Sequence, residues 1–77
     1  MARDAKLSSK PVTGVFKPTR RNPLGPDEHH IGWNRALQHA LDTIGRPRGT
    51  YNVQVVFSAV VDVENPGRIV EYHATLI

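Results

Sequence analysis

Apolar positions along the chain fall into three patterns, and each predicts a different element. Between residues 51 and 77 they crowd into two runs, YNVQVVFSAVVDV and RIVEYHATLI, on either side of the segment ENPG. Val, Phe, Tyr and Thr favour extended, half-buried backbone, and Asn65, Pro66 and Gly67 form a turn cluster in which Pro fixes φ and Gly permits φ > 0. The stretch therefore predicts a β-hairpin. From residue 31 onward, Trp33, Ala36, Leu37, Ala40, Leu41 and Ile44 recur at spacings of three and four, while Asn34, Arg35, Gln38, His39 and Asp42 fall elsewhere, as an amphipathic helix requires. Pro26, Asp27 and Glu28 mark its approach, Gly32 weakens the first turn and moves the firm start toward Ile31, and Gly45 and Pro47 end it. A third run, VTGVF at residues 12–16, closed by Lys17 and Pro18, reads as an edge strand in which Gly14 marks a bulge or a close approach. Residues 1–11 show no periodicity and predict a flexible tail.

Setting Val63 opposite Arg68 fixes the hairpin register. It pairs Val61 with Val70, Ala59 with Tyr72, Phe57 with Ala74 and Val55 with Leu76, so one face is wholly apolar and the helix should lie across it. The opposite face sets Asp62 against Ile69, Val60 against Glu71, Ser58 against His73 and Val56 against Thr75, with Gln54 near Ile77. That mixture of aliphatic and polar side chains suits a subunit interface or a ligand surface better than water alone. The order of elements gives the fold class: α+β, a single small β-α-β-β domain whose antiparallel sheet packs on one helix. Residues 1–25 form a Pro-containing N-terminal arm with the possible edge strand, and residues 26–77 form the core.

Seventy-seven residues make one small domain, for which burial is marginal without disulfides, metal or oligomerisation. The chain has no cysteine, which removes disulfide frameworks, thiolate zinc sites and cysteine nucleophiles together. No apolar run approaches the roughly 20 residues of a membrane span and no signal-peptide core is present, so a cytoplasmic protein, or one inside a viral or macromolecular particle, is expected. The net charge of +3 is unevenly spread. The arm holds Arg3, Lys6, Lys10, Lys17, Arg20 and Arg21 against Asp4 alone, whereas the core has two more acids than bases. A basic arm with Lys17, Arg20 and Arg21, joined by Arg46 and Arg48 of the loop after the helix, can bind phosphates without reading sequence, or clamp an acidic neighbouring subunit.

Candidate chemistry is sparse. His29 and His30 follow Asp27 and Glu28, but adjacent helical residues point about 100° apart and make a poor metal site. His39 is expected in solvent. His73, Glu71 and Ser58 share a sheet face, yet no nucleophile elbow or oxyanion motif accompanies them, and a hydrogen-bonded cross-strand pair is the simpler account. There is no phosphate loop of the glycine-lysine type. A non-enzymatic protein is expected, with Trp33 as a core or interface anchor.

The helix GWNRALQHALDT, followed by a hairpin whose return strand reads VENPGRIVEYHATLI, resembles the dodecins over roughly residues 32–77. Those are small β-α-β-β proteins in which a three-stranded sheet wraps one helix and twelve copies form a hollow, flavin-binding shell. The resemblance implies a homo-oligomer holding a small ligand, with flavin (FMN, FAD or riboflavin) as the candidate, at Tyr51, Gln54, Ser58, Glu71 and His73. Tyr51 is the ring near the place where dodecins carry a flavin-stacking tryptophan, and His73 stands where they carry a glutamine. The other expectation is a structural subunit of a larger assembly, tied to its neighbours or to nucleic acid by the basic arm.

Overall fold

The computed structural model of the protein describes residues 2–3, 10–64 and 67–77, the first two as backbone alone. Strand β1 is Ala2–Arg3 and β2 is Val12–Phe16; helix α1 is His29–Thr43; β3 is Thr50–Tyr51, β4 Val55–Asp62 and β5 Arg68–Leu76. Strands β2, β5 and β4 form an antiparallel sheet in that order, with β5 in the centre. This is the expected α+β architecture with one helix on a three-stranded sheet. The tail differs from expectation at one point: Ala2 and Arg3 pair in parallel with Thr50 and Tyr51. Lys6, Asn65 and Pro66 lie outside the described residues.

The expected register holds from Val55 opposite Leu76 to Val60 opposite Glu71, and then shifts by one. Beyond that point Val61 faces Ile69 and Asp62 faces Arg68, so the expected pairs Val61–Val70, Asp62–Ile69 and Val63–Arg68 do not form. The cause is a β-bulge that leaves Val70 without an opposite residue, and a bulge reverses which side chains share a face. Ile69, expected on the mixed face, instead packs against the buried cluster on the helix side.

The helix covers less of the hairpin than expected. It packs on β2 and β5, not across both hairpin strands, because β2 occupies the other side of the central strand and takes the position under the helix. Ala36, Ala40, Tyr72, Ala74 and Leu76 are buried there, and Tyr72 is the largest fully buried side chain. Trp33 meets the Tyr72 ring edge-on at 4.9 Å and reaches Phe57 of β4 at 5.4 Å. Two glycines permit this packing. A Cβ on Gly14 would overlap the backbone of Ala36 and Ala40, and one on Gly32 would lie 2.6 Å from the Tyr72 ring. Gly14 thus marks a close approach, and Gly32 exchanges helix propensity for space against Tyr72.

The helix begins at His29, preceded by a turn in which Gly25 N–H donates to Glu28 Oε1 at 2.8 Å and Glu28 N–H to the Gly25 carbonyl at 3.1 Å. It ends as expected. Gly45, at φ 80°, donates to the Asp42 carbonyl and Arg46 N–H to the Leu41 carbonyl, which satisfies two orphan helix carbonyls. His39 is not a purely solvated residue: Val15 N–H donates to its Nδ1 at 2.9 Å, so the helix caps the free edge of β2.

Candidate functional site

The sheet face turned away from α1 gathers four of the expected ligand residues. Strict alternation carries Ser58 and Val60 on β4 to the same side as Glu71, His73 and Thr75 on β5, with Gln54 just before β4. Ser58 and His73 face one another in the ladder, and the Gln54 carbonyl accepts from Ile77 N–H at 3.0 Å. The cross-strand hydrogen bond expected between Ser58 and His73 gives way to one along the strand, with His73 Nε2 lying 3.2 Å from Glu71 Oε1. Lys17, one residue past β2, approaches the same carboxylate at 3.9 Å. Thr13 and Thr75 join their hydroxyls at 2.8 Å. The polar groups thus form two linked sets in a row along the face, Lys17–Glu71–His73 and Thr13–Thr75, half-buried at Glu71 and His73 and bordered by exposed Val56 and Val60 at 42% and 43% accessibility.

Tyr51 is set apart from that row. Its hydroxyl donates to the Arg48 carbonyl at 2.8 Å, and it borders a small recess with Leu41, Pro47 and Val53 at the C-terminal end of the helix. The backbone pairing with Arg3 holds this segment in place. A flat ligand touching both Tyr51 and His73 would have to bridge two separate parts of one protomer, or two protomers.

The basic residues are not equivalent. Arg46 is committed to its own helix end, where its guanidinium pairs with Asp42 and donates to Gln38 Oε1 at 2.8 Å. Lys17 leans on Glu71. Arg20 and Arg21 sit at the tip of a turn closed by Thr19 and Asn22, which exchange backbone hydrogen bonds of 3.2 and 3.4 Å. Neither arginine makes a hydrogen bond or ion pair with a described residue. Arg35, by contrast, lies over the Phe16 ring at 5.0 Å.

The sequence carries no direct sign of the polar contact at the margin of the core, between exposed His29 and buried Tyr72. His29 Nδ1 lies 2.6 Å from the Tyr72 hydroxyl, across 43 residues, and burial pushes the Tyr72 phenol above its ordinary pKa. An indirect signal was present in the alternation, which turns Tyr72 to the helix side, because a buried phenol must find a polar partner. Among the described residues no helix is long and apolar enough to cross a membrane.

Comparison of the chain with protein-family models, curated proteins and solved structures finds no match.

Proposed function

We propose that the protein is a non-enzymatic, cytoplasmic, self-assembling subunit of the dodecin kind that holds a small ligand, flavin being the candidate, on the sheet face bearing Gln54, Ser58, Glu71 and His73. The observation that carries this reading is the bareness of β4. Phe57 and Val61 on its helix side are 47% and 50% accessible, Val56 and Val60 on its other side are 42% and 43%, and Ile77 beside it is 45%. So large a run of exposed aliphatic and aromatic side chains on an eight-residue edge strand is costly for a free monomer and suits a surface buried between copies. The small core supports the same reading, since a chain of this length gains stability from oligomerisation. In an assembly, Tyr51 of one copy can meet the polar row of another, which relieves their separation within a protomer.

The direct test is the mass of the particle by native mass spectrometry, first as purified and then after incubation with FMN and with riboflavin. A multi-copy mass with flavin-sized increments, lost on His73→Ala, is the expected result. A stable monomer overturns the reading. Assembly that appears only with nucleic acid or another chain transfers the function to the basic arm, where Lys10, Lys17, Arg20 and Arg21 are all exposed.

A further inference from the structure

A second concavity lies on the helix side, between the loop of residues 18–26 and the turn end of the hairpin, with a volume of about 810 Å³. That volume lies in the range of small-molecule sites. Leu24 and Pro23 line one wall, Val61 and Ile69 the other, and His29 and Tyr72 lie at its base. Arg20 and Arg68 both line it, one from each side, and neither guanidinium makes a hydrogen bond or ion pair with a described residue. No carboxylate lines the cleft, although Asp27, Glu28, Asp62 and Glu71 adjoin lining residues in the chain; Glu28 accepts from the Gly25 N–H, and Glu71 is turned to the other sheet face beside His73 and Lys17. Two guanidinium groups without a bonded carboxylate, beside an apolar recess that itself holds no acid, favour an anion there, and the N-terminal end of the helix at His29 adds to that preference.

We propose that this cleft binds a small organic anion: an apolar, ring-sized body carrying a phosphate or carboxylate that Arg20 and Arg68 grip together. Guanidinium groups bind such oxyanions through paired, charge-assisted hydrogen bonds, while the proline-lined walls take the apolar part. The site is built before the ligand arrives. Three prolines stiffen the loop, the Thr19–Asn22 turn holds the backbone that carries Arg20, and Leu24 anchors the loop on the buried cluster. On the opposite wall the β-bulge carries Ile69 to the helix side and sets Arg68 opposite Asp62 at the start of the strand. Preformed walls lower the ordering cost of binding. A polynucleotide fits the arrangement less well, because it needs a track of cations, and Lys17 and Arg46 are already engaged elsewhere.

The test uses the full chain, labelled with nitrogen-15, titrated with 1-naphthyl phosphate, 1-naphthoate and 1-naphthol. The two anions should bind about tenfold or more tightly than the neutral alcohol, the difference expected when a charge-assisted pair replaces solvent contact. Amide shifts should gather at Gly25, His29, Gly67 and Ile69. Arg20→Gln and Arg68→Gln should each weaken 1-naphthyl phosphate several-fold while leaving remote amide positions unchanged, which separates a lost contact from a lost fold. Equal affinity for naphthol and naphthyl phosphate overturns the proposal, as do shifts confined to Ser58 and His73, or two glutamine variants that bind like the parent. Displacement of naphthyl phosphate by a short single-stranded oligonucleotide at far lower concentration overturns it in favour of a nucleic-acid surface.

Discussion

Strands β2 and β4 flank the same central strand and meet opposite fates. β2 has five residues, and the helix lies so close over it that Gly14 has no room for a side chain. Its outer edge is capped where Val15 N–H reaches His39, and Pro18 follows to end the ladder. β4 has eight residues, pairs with β5 alone, and carries one charge, Asp62, at its last position. Short strands, prolines, charges and covering helices are the usual protections of a sheet edge, and β2 has several of them where β4 has almost none. A chain that guards one edge so thoroughly and leaves the other bare gives the second edge a different task. On our reading that task is contact with another copy.

The largest test of this contrast is a matched pair of small-to-larger substitutions. Gly14→Ala should abolish the folded state or cost more than about 4 kcal/mol in urea unfolding, since its methyl group would overlap helix backbone that cannot yield. Ala59→Val, exposed on β4, should change stability by no more than about 0.5 kcal/mol. Equal effects at the two positions would break the comparison.

Next in size is the loss of assembly itself. Val60→Lys and Val61→Lys place a charge on either face of β4, where both valines are exposed in the protomer. Sedimentation should show the particle falling to smaller species while circular dichroism keeps its shape. If either variant unfolds the protomer instead, β4 belongs to the core and the asymmetry is wrong.

The helix and the three strands of the main sheet were legible in the sequence because each rests on a local rule, whereas the short β1–β3 pairing was not. Period-two and near-3.6-residue hydrophobic patterns located the hairpin and the helix, and Gly45 with Pro47 located the helix end. The apolar half of β4 and the polar row around His73 followed from alternation alone. What stayed hidden was non-local. The bulge at Val60 and Val61 depends on how β5 adapts to the twist and packing, so the one-residue slip that moves Ile69 has no mark in composition. The partners of His29 and His39 lie 43 and 24 residues away, and no spacing rule reaches that far. The cleft with Arg20 and Arg68 joins two segments far apart in the chain, the N-terminal arm and the start of the return strand of the hairpin.

A smaller effect is expected at the edge cap. His39→Ala removes the acceptor for Val15 N–H, and an amide left without a partner at a partly wet edge should cost about 1 kcal/mol. The faster hydrogen exchange should be confined to Val15 and its neighbours on β2. The exchange rates of outward-facing β4 amides should not change, which sharpens the claim that the two edges are protected by different means.

The smallest effect, and the one that probes the strand between the two edges, comes from pH. Tyr72 is buried on β5 and its phenol is pushed above its ordinary value by desolvation. In the unfolded chain the phenol releases its proton near pH 10, whereas in the folded protein it keeps it to higher pH. Above that point the folded state holds more protons than the unfolded state, so stability declines as pH rises. Tyr72's contribution is therefore complete below about pH 10 and is lost as pH climbs toward its folded pKa. Tyr72→Phe keeps the ring between Trp33 and Phe16 but removes the proton, and it leaves exposed His29 to bond with water. That variant should lose about 1 kcal/mol at neutral pH and show a flatter decline in urea midpoint between pH 9 and pH 11 than the parent. An equally steep decline in both proteins would assign the alkaline loss to groups other than Tyr72.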